Sequence, residues 1–115
     1  MSTESKALDI VRKCLESKGY AVKRARPGMG CDFVCTRQRR TTYVEVKGSS
    51  KRRPPFRYFT QREYAKARQY RNRYQVYIVT GIGTHEVNCY GFTGNELVAA
   101  AHPEVVWRVD IRFED

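Results

Sequence analysis

The chain has 115 residues, of which 22 are Lys or Arg and 12 are Asp or Glu, so its formal net charge is +10 at pH 7. This length predicts a single domain, residues 1–115, with a core of its own. No apolar run approaches the roughly 20 residues of a membrane span, so we expect no membrane partner. The positive charge favours a polyanion, above all nucleic acid, as the partner, and the alternative is a solvated basic surface.

The first element is a helix that Ser2 or Thr3 can cap and that runs to about Lys18, where Gly19 ends it. Glu4 lies in phase with its apolar stripe, one turn before the first stripe residue. A first-turn glutamate is also favoured by the helix dipole alone. The stripe residues are Leu8, Val11 and Leu15.

Two β-rich runs follow a weak first strand, Tyr20–Arg24, and a turn rich in glycine. The runs are Cys31–Thr36 and Thr41–Lys47, and the polar turn Arg37–Arg40 joins them. Two such runs around a short polar turn predict a β-hairpin.

Three charged residues stand out in this hairpin: Asp32, Glu45 and Lys47. Strand side chains alternate, so Glu45 and Lys47 share one face of their strand. Charged groups on an apolar strand are costly to bury unless they are paired, and Asp32 across the hairpin is the natural partner. Two carboxylates at one point form a hard oxygen site for Mg²⁺, beside which a lysine can neutralise a phosphate or a developing hydroxide.

The segment Gly48–Tyr58 is predicted to be a loop because it combines small residues, consecutive basic residues and two prolines. Thr60 and Glu63 form a capping box that begins a second helix, Gln61 to about Asn72. Basic residues with interleaved aromatic residues suit a nucleic-acid backbone, although a surface connector explains the loop as well. The predicted nucleic-acid contacts are Lys51, Arg52, Arg53, Arg57, Arg62, Lys66 and Arg68.

The last part of the chain is predicted to alternate strands with one short helix. The order of elements is then αβββαββαβ, which gives a mixed sheet with helices on its faces. The predicted elements are a strand Tyr74–Thr80, a strand Glu86–Phe92, a helix from Thr93 or Asn95 to Ala101, and a half-exposed strand Val105–Phe113.

Asp32, a twelve-residue spacer and Glu45-x-Lys47 together resemble the signature of the PD-(D/E)XK nuclease superfamily. Cys31 stands where the superfamily has a proline. The surrounding segments GCDFVC, YVEVKGS, FTQREYAKA and YQVYIVT are similar to small Mrr-like, NO VEIN-type and Holliday-junction-resolvase-like nuclease domains. The resemblance covers roughly residues 2–80.

This resemblance implies a restriction-endonuclease-like α/β fold, in which an αβββαβ core with a mixed central sheet is followed by a C-terminal β-α-β extension. It implies a metal-dependent DNA endonuclease that leaves a 5′-phosphate and a 3′-hydroxyl. Asp32, Glu45 and the Val46 carbonyl would hold Mg²⁺, for which Mn²⁺ would substitute. Lys47 would stabilise or help deprotonate the attacking water.

The superfamily often supplies one more carboxylate from its first helix and a polar residue from the start of its second. The matching candidates are Glu4 and Gln61, and an ordinary exposed first-turn residue is the alternative for each. Two other functions stay open: a catalytically silent nucleic-acid-binding module on the same fold, and a basic RNA-binding protein. The second of these leaves Asp32, Glu45 and Lys47 unexplained.

Assembly and location can also be predicted. An open edge on the final strand, and the need of many endonucleases for two active sites, predict a homodimer. The cysteines lie in apolar runs without a second ligand pair for zinc, so we expect reduced thiols and a cytoplasmic protein. They are Cys14, Cys31, Cys35 and Cys89.

Overall fold

The computed structural model describes residues 2–53, 58–102, 107–109 and 111 of the chain. Within this part the protein forms three α-helices, one 3₁₀ turn and eight strands. Their bounds are α1 Thr3–Ser17, β1 Ala21–Arg24, β2 Phe33–Arg37, β3 Arg40–Gly48, β4 Tyr58–Phe59, α2 Gln61–Tyr70, the 3₁₀ turn Arg71–Arg73, β5 Tyr74–Thr80, β6 Asn88–Thr93, α3 Gly94–Ala100, β7 Ala101–His102 and β8 Trp107–Val109.

The central sheet has five strands in the order β1-β2-β3-β5-β6. β3 and β5 run parallel, and the other neighbours pair antiparallel. β3 and β5 can run parallel because α2, which lies between them in the chain, returns the chain to the end of the sheet at which β3 begins. A mixed sheet with flanking helices, as predicted, is therefore confirmed.

Helices cover both faces of this sheet. On one face, α1 buries Ala7, Val11 and Leu15 against β-strand residues that include Val44 and Val79. On the other face, Ala67 of α2 and Leu97 of α3 pack against the alternate residues of β5, which are Tyr74, Val76 and Ile78. Because strand side chains alternate, the residues of β3 next to Val44 point toward α2.

The predicted hairpin is formed by β2 and β3, with Arg37 paired to Arg40. The two residues between them, Gln38 and Arg39, have φ angles of 51° and 63°. Positive φ at both central residues is the geometry of the two-residue turns that match the twist of a hairpin.

The N-terminal end of α1 lies against the end of β3. Ser2 caps the helix by accepting a hydrogen bond from the Ser5 amide at 3.1 Å, which confirms the predicted start. Gly48 allows the close approach, since a Cβ there would lie 2.6 Å from Ala7 Cβ and 3.1 Å from Ile82 Cδ1. The residue that follows Lys47 is thus fixed between a helix and a loop.

Part of the predicted order of elements is wrong at the second half of the chain. The predicted loop Gly48–Tyr58 runs into the short strand β4, the second helix stops at Tyr70, and β7 was not predicted. Strands of two residues have no periodicity that a sequence pattern can reveal. The extension after the αβββαβ core therefore contains β6, α3, β7 and β8 rather than a plain β-α-β unit.

The final strand occupies a different position from the one predicted. Of the predicted span Val105–Phe113, the structure describes 107–109 and 111, and 107–109 form β8. β8 is the central strand of a second, antiparallel sheet in the order β4-β8-β7. The open edge on which the homodimer prediction rested is thus occupied on both sides in the described part, and the homodimer itself stays a prediction. No helix in the described residues has the length and apolar character needed to span a membrane.

Candidate active site

The structure brings Asp32, Glu45 and Lys47 together on the face of the sheet that α2 covers. The Asp32 amide donates to the Val44 carbonyl at 2.8 Å, which places Asp32 directly before β2 and beside β3. Asp32 Oδ2 accepts a hydrogen bond from the Val46 amide at 2.7 Å. The backbone of β3 thus fixes the Asp32 carboxylate directly between the two other residues of the pattern.

Glu45 is the most strongly perturbed acid of this site. Burial raises the pKa of Glu45 to about 9, and a hydrogen bond with Asp32 and the negative charges of Asp32 and Glu63 act in the same direction. The nearby Lys47 ammonium lowers the pKa of Glu45 by less than these effects raise it. Glu45 therefore keeps its proton at neutral pH, because burial and the adjacent carboxylates disfavour its charged form.

Lys47 is held by a carboxylate that the sequence analysis did not assign to the site. Lys47 Nζ lies 3.0 Å from Glu63 Oε2, and the two side chains are only 21% and 14% exposed. The other Glu63 oxygen accepts from the Thr60 amide at 2.8 Å and so completes the predicted capping box. One glutamate thus caps α2 and orients the lysine. The feature of the sequence that could have drawn attention to Glu63 is that Glu45 and Glu63 are the only acidic residues between residues 37 and 73.

Tyr74 is a second residue that the sequence analysis did not assign to the site. Its side chain is fully buried, and its hydroxyl has no hydrogen-bond partner in the part of the chain that the structure describes. Burial, followed by the negative charges of Glu45 and Glu63, raises the pKa of Tyr74.

The glycine-rich turn before Asp32 is fastened to α2. Arg62 Nη2 donates to the Gly28 carbonyl at 2.8 Å, and the Lys66 side chain lies against Gly30. On the other side, Arg24 Nη1 lies 3.5 Å from Asp32 Oδ1. Two of the predicted nucleic-acid contacts, Arg62 and Lys66, therefore also hold the segment that positions Asp32.

The two predicted helper residues lie at the margins of the site. Glu4 is exposed in the first turn of α1, which covers the opposite face of the sheet. Gln61 is exposed at the first position of α2, on the same face as Glu45. Both catalytic roles stay predictions.

The remaining predicted nucleic-acid contacts lie in the segment after β3 and on α2. Lys51, Arg52 and Arg53 are exposed in the segment that follows β3, and Arg52 Nε lies 3.5 Å from Glu86 Oε2. Arg68 is exposed on α2. Arg57 lies outside the described residues.

The residues of this site fit a hard divalent cation. Asp32 and Glu45 supply carboxylate oxygens that need either a proton or a cation between them. The amide of Val46 faces Asp32, and in a strand the carbonyl of the same residue points to the same side. No group of three or more His, Cys, Asp or Glu suited to a metal occurs among the described residues. The two carboxylates and the Val46 carbonyl suit Mg²⁺, which usually binds through one or two carboxylates and keeps several waters.

The fold and the site together define a mixed α/β protein whose sheet carries a carboxylate pair and a lysine beneath a basic helix. The family described as Protein NO VEIN, C-terminal matches residues 3–91 of this chain. The chain belongs to this family, and the predicted NO VEIN-type resemblance is confirmed. The match includes every residue of the candidate active site described above. No curated protein and no solved structure matches the chain.

Proposed function

We propose that this protein is a metal-dependent endonuclease that hydrolyses phosphodiester bonds of DNA, with a PD-(D/E)XK-type site. The observation that carries the proposal is the arrangement of Asp32, Glu45 and Lys47 on one face of two paired strands. Asp32 Oδ2 accepts a hydrogen bond from the amide of Val46, which lies between Glu45 and Lys47 in the strand, and burial raises the pKa of Glu45 to about 9. A protein that only binds phosphate has no use for two crowded carboxylates beside it.

Each residue has a distinct task in this proposal. Asp32, Glu45 and the Val46 carbonyl would hold Mg²⁺ or Mn²⁺, which would supply Lewis-acid stabilisation of charge on the phosphate and a more acidic water. Glu45 would release its proton to the solvent in exchange for the cation. Lys47, oriented by Glu63, stabilises the attacking hydroxide or the negative charge of the phosphate. Gln61, at the start of α2, and Glu4, in the first turn of α1, are the helper residues to be tested.

DNA as the substrate is supported by the charge of +10 and by the basic residues around the site. The side chains near the site are arginines and lysines on a loop and on one helix, and such residues contact phosphates without reading base sequence. We therefore propose recognition of the backbone or of DNA structure rather than of a base sequence.

The test is cleavage of branched, duplex and single-stranded DNA, and of RNA, with Mg²⁺ or Mn²⁺ and with EDTA. We expect metal-dependent cleavage of at least one DNA, and loss of cleavage by at least about 100-fold in Asp32→Asn, Glu45→Gln and Lys47→Gln. Asp32→Asn and Glu45→Gln keep the size of the side chain, and Lys47→Gln removes one positive charge among many, so DNA binding is expected to persist. Binding without cleavage in every condition would favour the silent binding module, and metal-independent preference for structured RNA would favour the RNA-binding protein.

Metal binding can be tested without cleavage. Because a cation that binds only the folded protein stabilises it, Mg²⁺ or Mn²⁺ should raise the melting temperature of the wild type above its value in EDTA. Asp32→Asn should lose this increase, while Lys47→Gln should retain it. An equal increase in wild type and Asp32→Asn would contradict the assignment of the metal ligands.

A further inference from the structure

A second basic site lies at the end of the sheet away from Glu45. The β2–β3 turn, the 3₁₀ turn and the start of β5 enclose a pocket of about 240 Å³. Its lining includes Arg37, Arg40 and Arg73, and no acidic residue. None of the ion pairs of the described residues includes these arginines. Three arginines thus line one concave space that has no acidic residue in its lining.

Two of the three arginines, Arg37 and Arg73, are held in place by contacts that leave their charge unneutralised. Arg73 Nε donates to the Thr41 carbonyl at 3.0 Å, so its two terminal nitrogens are available for other partners. Arg37 donates to the Lys18 carbonyl at 3.0 Å and stacks on Tyr20, with its Cζ 4.3 Å from the ring centre. Preorganised guanidinium groups lose less conformational freedom when they bind an anion.

The uncharged lining also offers hydrogen-bond donors. Asn72 and Gln75 line the pocket. The carbonyl oxygen of the Asn72 side chain is already engaged, because it accepts from Asn95 Nδ2 at 2.7 Å, and its NH₂ group is therefore the part available to a ligand. Positive charge and N–H donors around one space suit a tetrahedral oxyanion.

This pocket is separate from the candidate active site. Arg40 and Thr42 share the face of β3 that carries Val44, whereas Glu45 points to the opposite face. Glu45 lies five positions after Arg40 along the strand, which corresponds to about 17 Å at 3.3–3.4 Å for each position.

We propose that the pocket around Arg37, Arg40 and Arg73 binds a phosphate group. The phosphate is borne either by the end of a nucleic-acid strand or by a free phosphate compound, and both present the same oxyanion to the three arginines. The volume suits an end group better than a continuous duplex, because the space is a pocket and not an open channel. The site does not depend on the proposed nuclease activity.

The test compares two double variants that lower the net charge equally. Arg40→Gln with Arg73→Gln removes two pocket charges, whereas Arg39→Gln with Lys23→Gln removes two exposed charges outside the pocket. The probes are inorganic phosphate, adenosine monophosphate, and a single-stranded oligonucleotide with a 5′-phosphate or a 5′-hydroxyl. All binding is measured in EDTA, which prevents metal-dependent cleavage.

We expect the pocket variant to bind the phosphate-bearing probes at least about ten-fold more weakly than the wild type, and the control variant to bind within about two-fold of it. If the 5′-phosphate oligonucleotide binds better than both its 5′-hydroxyl form and adenosine monophosphate, the phosphate belongs to a strand end. If adenosine monophosphate or inorganic phosphate binds as well as the oligonucleotide, it belongs to a free compound. Equal losses in both double variants, or no binding of any phosphate probe by the wild type, would overturn the proposal.

Two further variants keep this test decisive. Arg40→Gln alone is the alternative if the double variant does not fold, since Arg40 is exposed at the start of its strand. Lys47→Gln should bind phosphate in the pocket as the wild type does, even if the nuclease proposal fails. Phosphate binding that disappears in Lys47→Gln would locate it at the other site, where Lys47 is the cation beside the carboxylates.

Discussion

At the scale of single residues, the site holds more carboxyl groups than its lysine can neutralise. Asp32 and Glu45 lie side by side, and Glu45 responds by retaining its proton. Lys47 is close enough to lower the pKa of Glu45, yet it is paired at 3.0 Å with Glu63. The metal-free protein therefore has a protonated carboxyl group where the proposed mechanism requires a cation.

The stability of the metal-free protein should depend on pH through Glu45. Its pKa is about 9 in the folded protein and near 4.5 in the unfolded chain, so the folded state binds more protons between these values. The free energy of unfolding should therefore fall as pH rises from about 5 to 9, by at most about 1.4 kcal/mol for each pH unit. Urea denaturation in EDTA measures this dependence.

Glu45→Gln is the matched variant for this experiment because glutamine cannot titrate but can still donate to Asp32. The wild type minus the variant should show the decline with pH, independently of the other titrating groups. Parallel stability profiles of the two proteins would contradict the raised pKa.

Glu63 should matter for the rate more than for the folding of α2. Glu63→Gln keeps an oxygen that can accept from the Thr60 amide, but it removes the charge that holds Lys47. We expect the cleavage rate at saturating DNA to fall about ten-fold or more, with little change in KM. Steady-state kinetics of cleavage measures both quantities.

The chain offers a close control for this variant. Glu96 begins α3 with the same capping box, since it accepts from the Thr93 amide at 3.0 Å, and it is exposed. Glu96→Gln should therefore lose the same capping charge without any effect on Lys47. Equal rates for Glu63→Gln and Glu96→Gln would mean that the Lys47 contact has no role in the reaction.

At the scale of elements, the N-terminal end of α1 packs closely against the end of β3. Gly48→Ala should destabilise the protein by about 1–3 kcal/mol, because the added Cβ would lie 2.6 Å from Ala7 Cβ. Cleavage should fall as well, since displacement of the strand end moves Lys47. Urea denaturation and cleavage rates measure the two effects.

Removal of the Ala7 Cβ should relieve the clash that Gly48→Ala creates. The double variant Ala7→Gly with Gly48→Ala again has one Cβ at this contact. The double variant should be more stable than the sum of the single effects predicts, although glycine within a helix costs about 1 kcal/mol. Strict additivity would show that the two residues are not in contact.

At the scale of the whole molecule, the net charge of +10 should appear as salt-dependent DNA binding. Each phosphate contact adds about 0.9 to the slope of log affinity against log salt on duplex DNA. Replacing Arg52 and Arg53 with alanine should lower this slope by roughly 1 to 2 and weaken all sequences alike. Fluorescence anisotropy over a range of salt concentrations measures the slope.

The control for this prediction carries the same change of charge elsewhere. Lys6 and Lys13 are exposed on α1, on the face of the sheet opposite Glu45. Replacing both with alanine should leave the slope nearly unchanged. If both double variants lower the slope equally, the affinity for DNA depends on the overall charge of the protein, and the segment after β3 only connects β3 to β4.

The sequence by itself determined the elements whose signals are local. Two β-rich runs with a polar turn gave the hairpin, and Thr60 with Glu63 gave the start of α2. The spacing of Glu45 and Lys47 put them on one face, because side chains alternate along any strand. These features depend only on residues close together in the chain, so local patterns could predict them.

Only the tertiary structure decided which distant residues meet. The packing of α2 over Glu45 brought Glu63 to Lys47 and buried the Tyr74 hydroxyl near both carboxylates. Pairing of β8 with both β4 and β7 closed an edge that the sequence pattern left open. Such contacts join residues far apart in the chain, and they are selected by the fit of packed surfaces, which no local periodicity encodes.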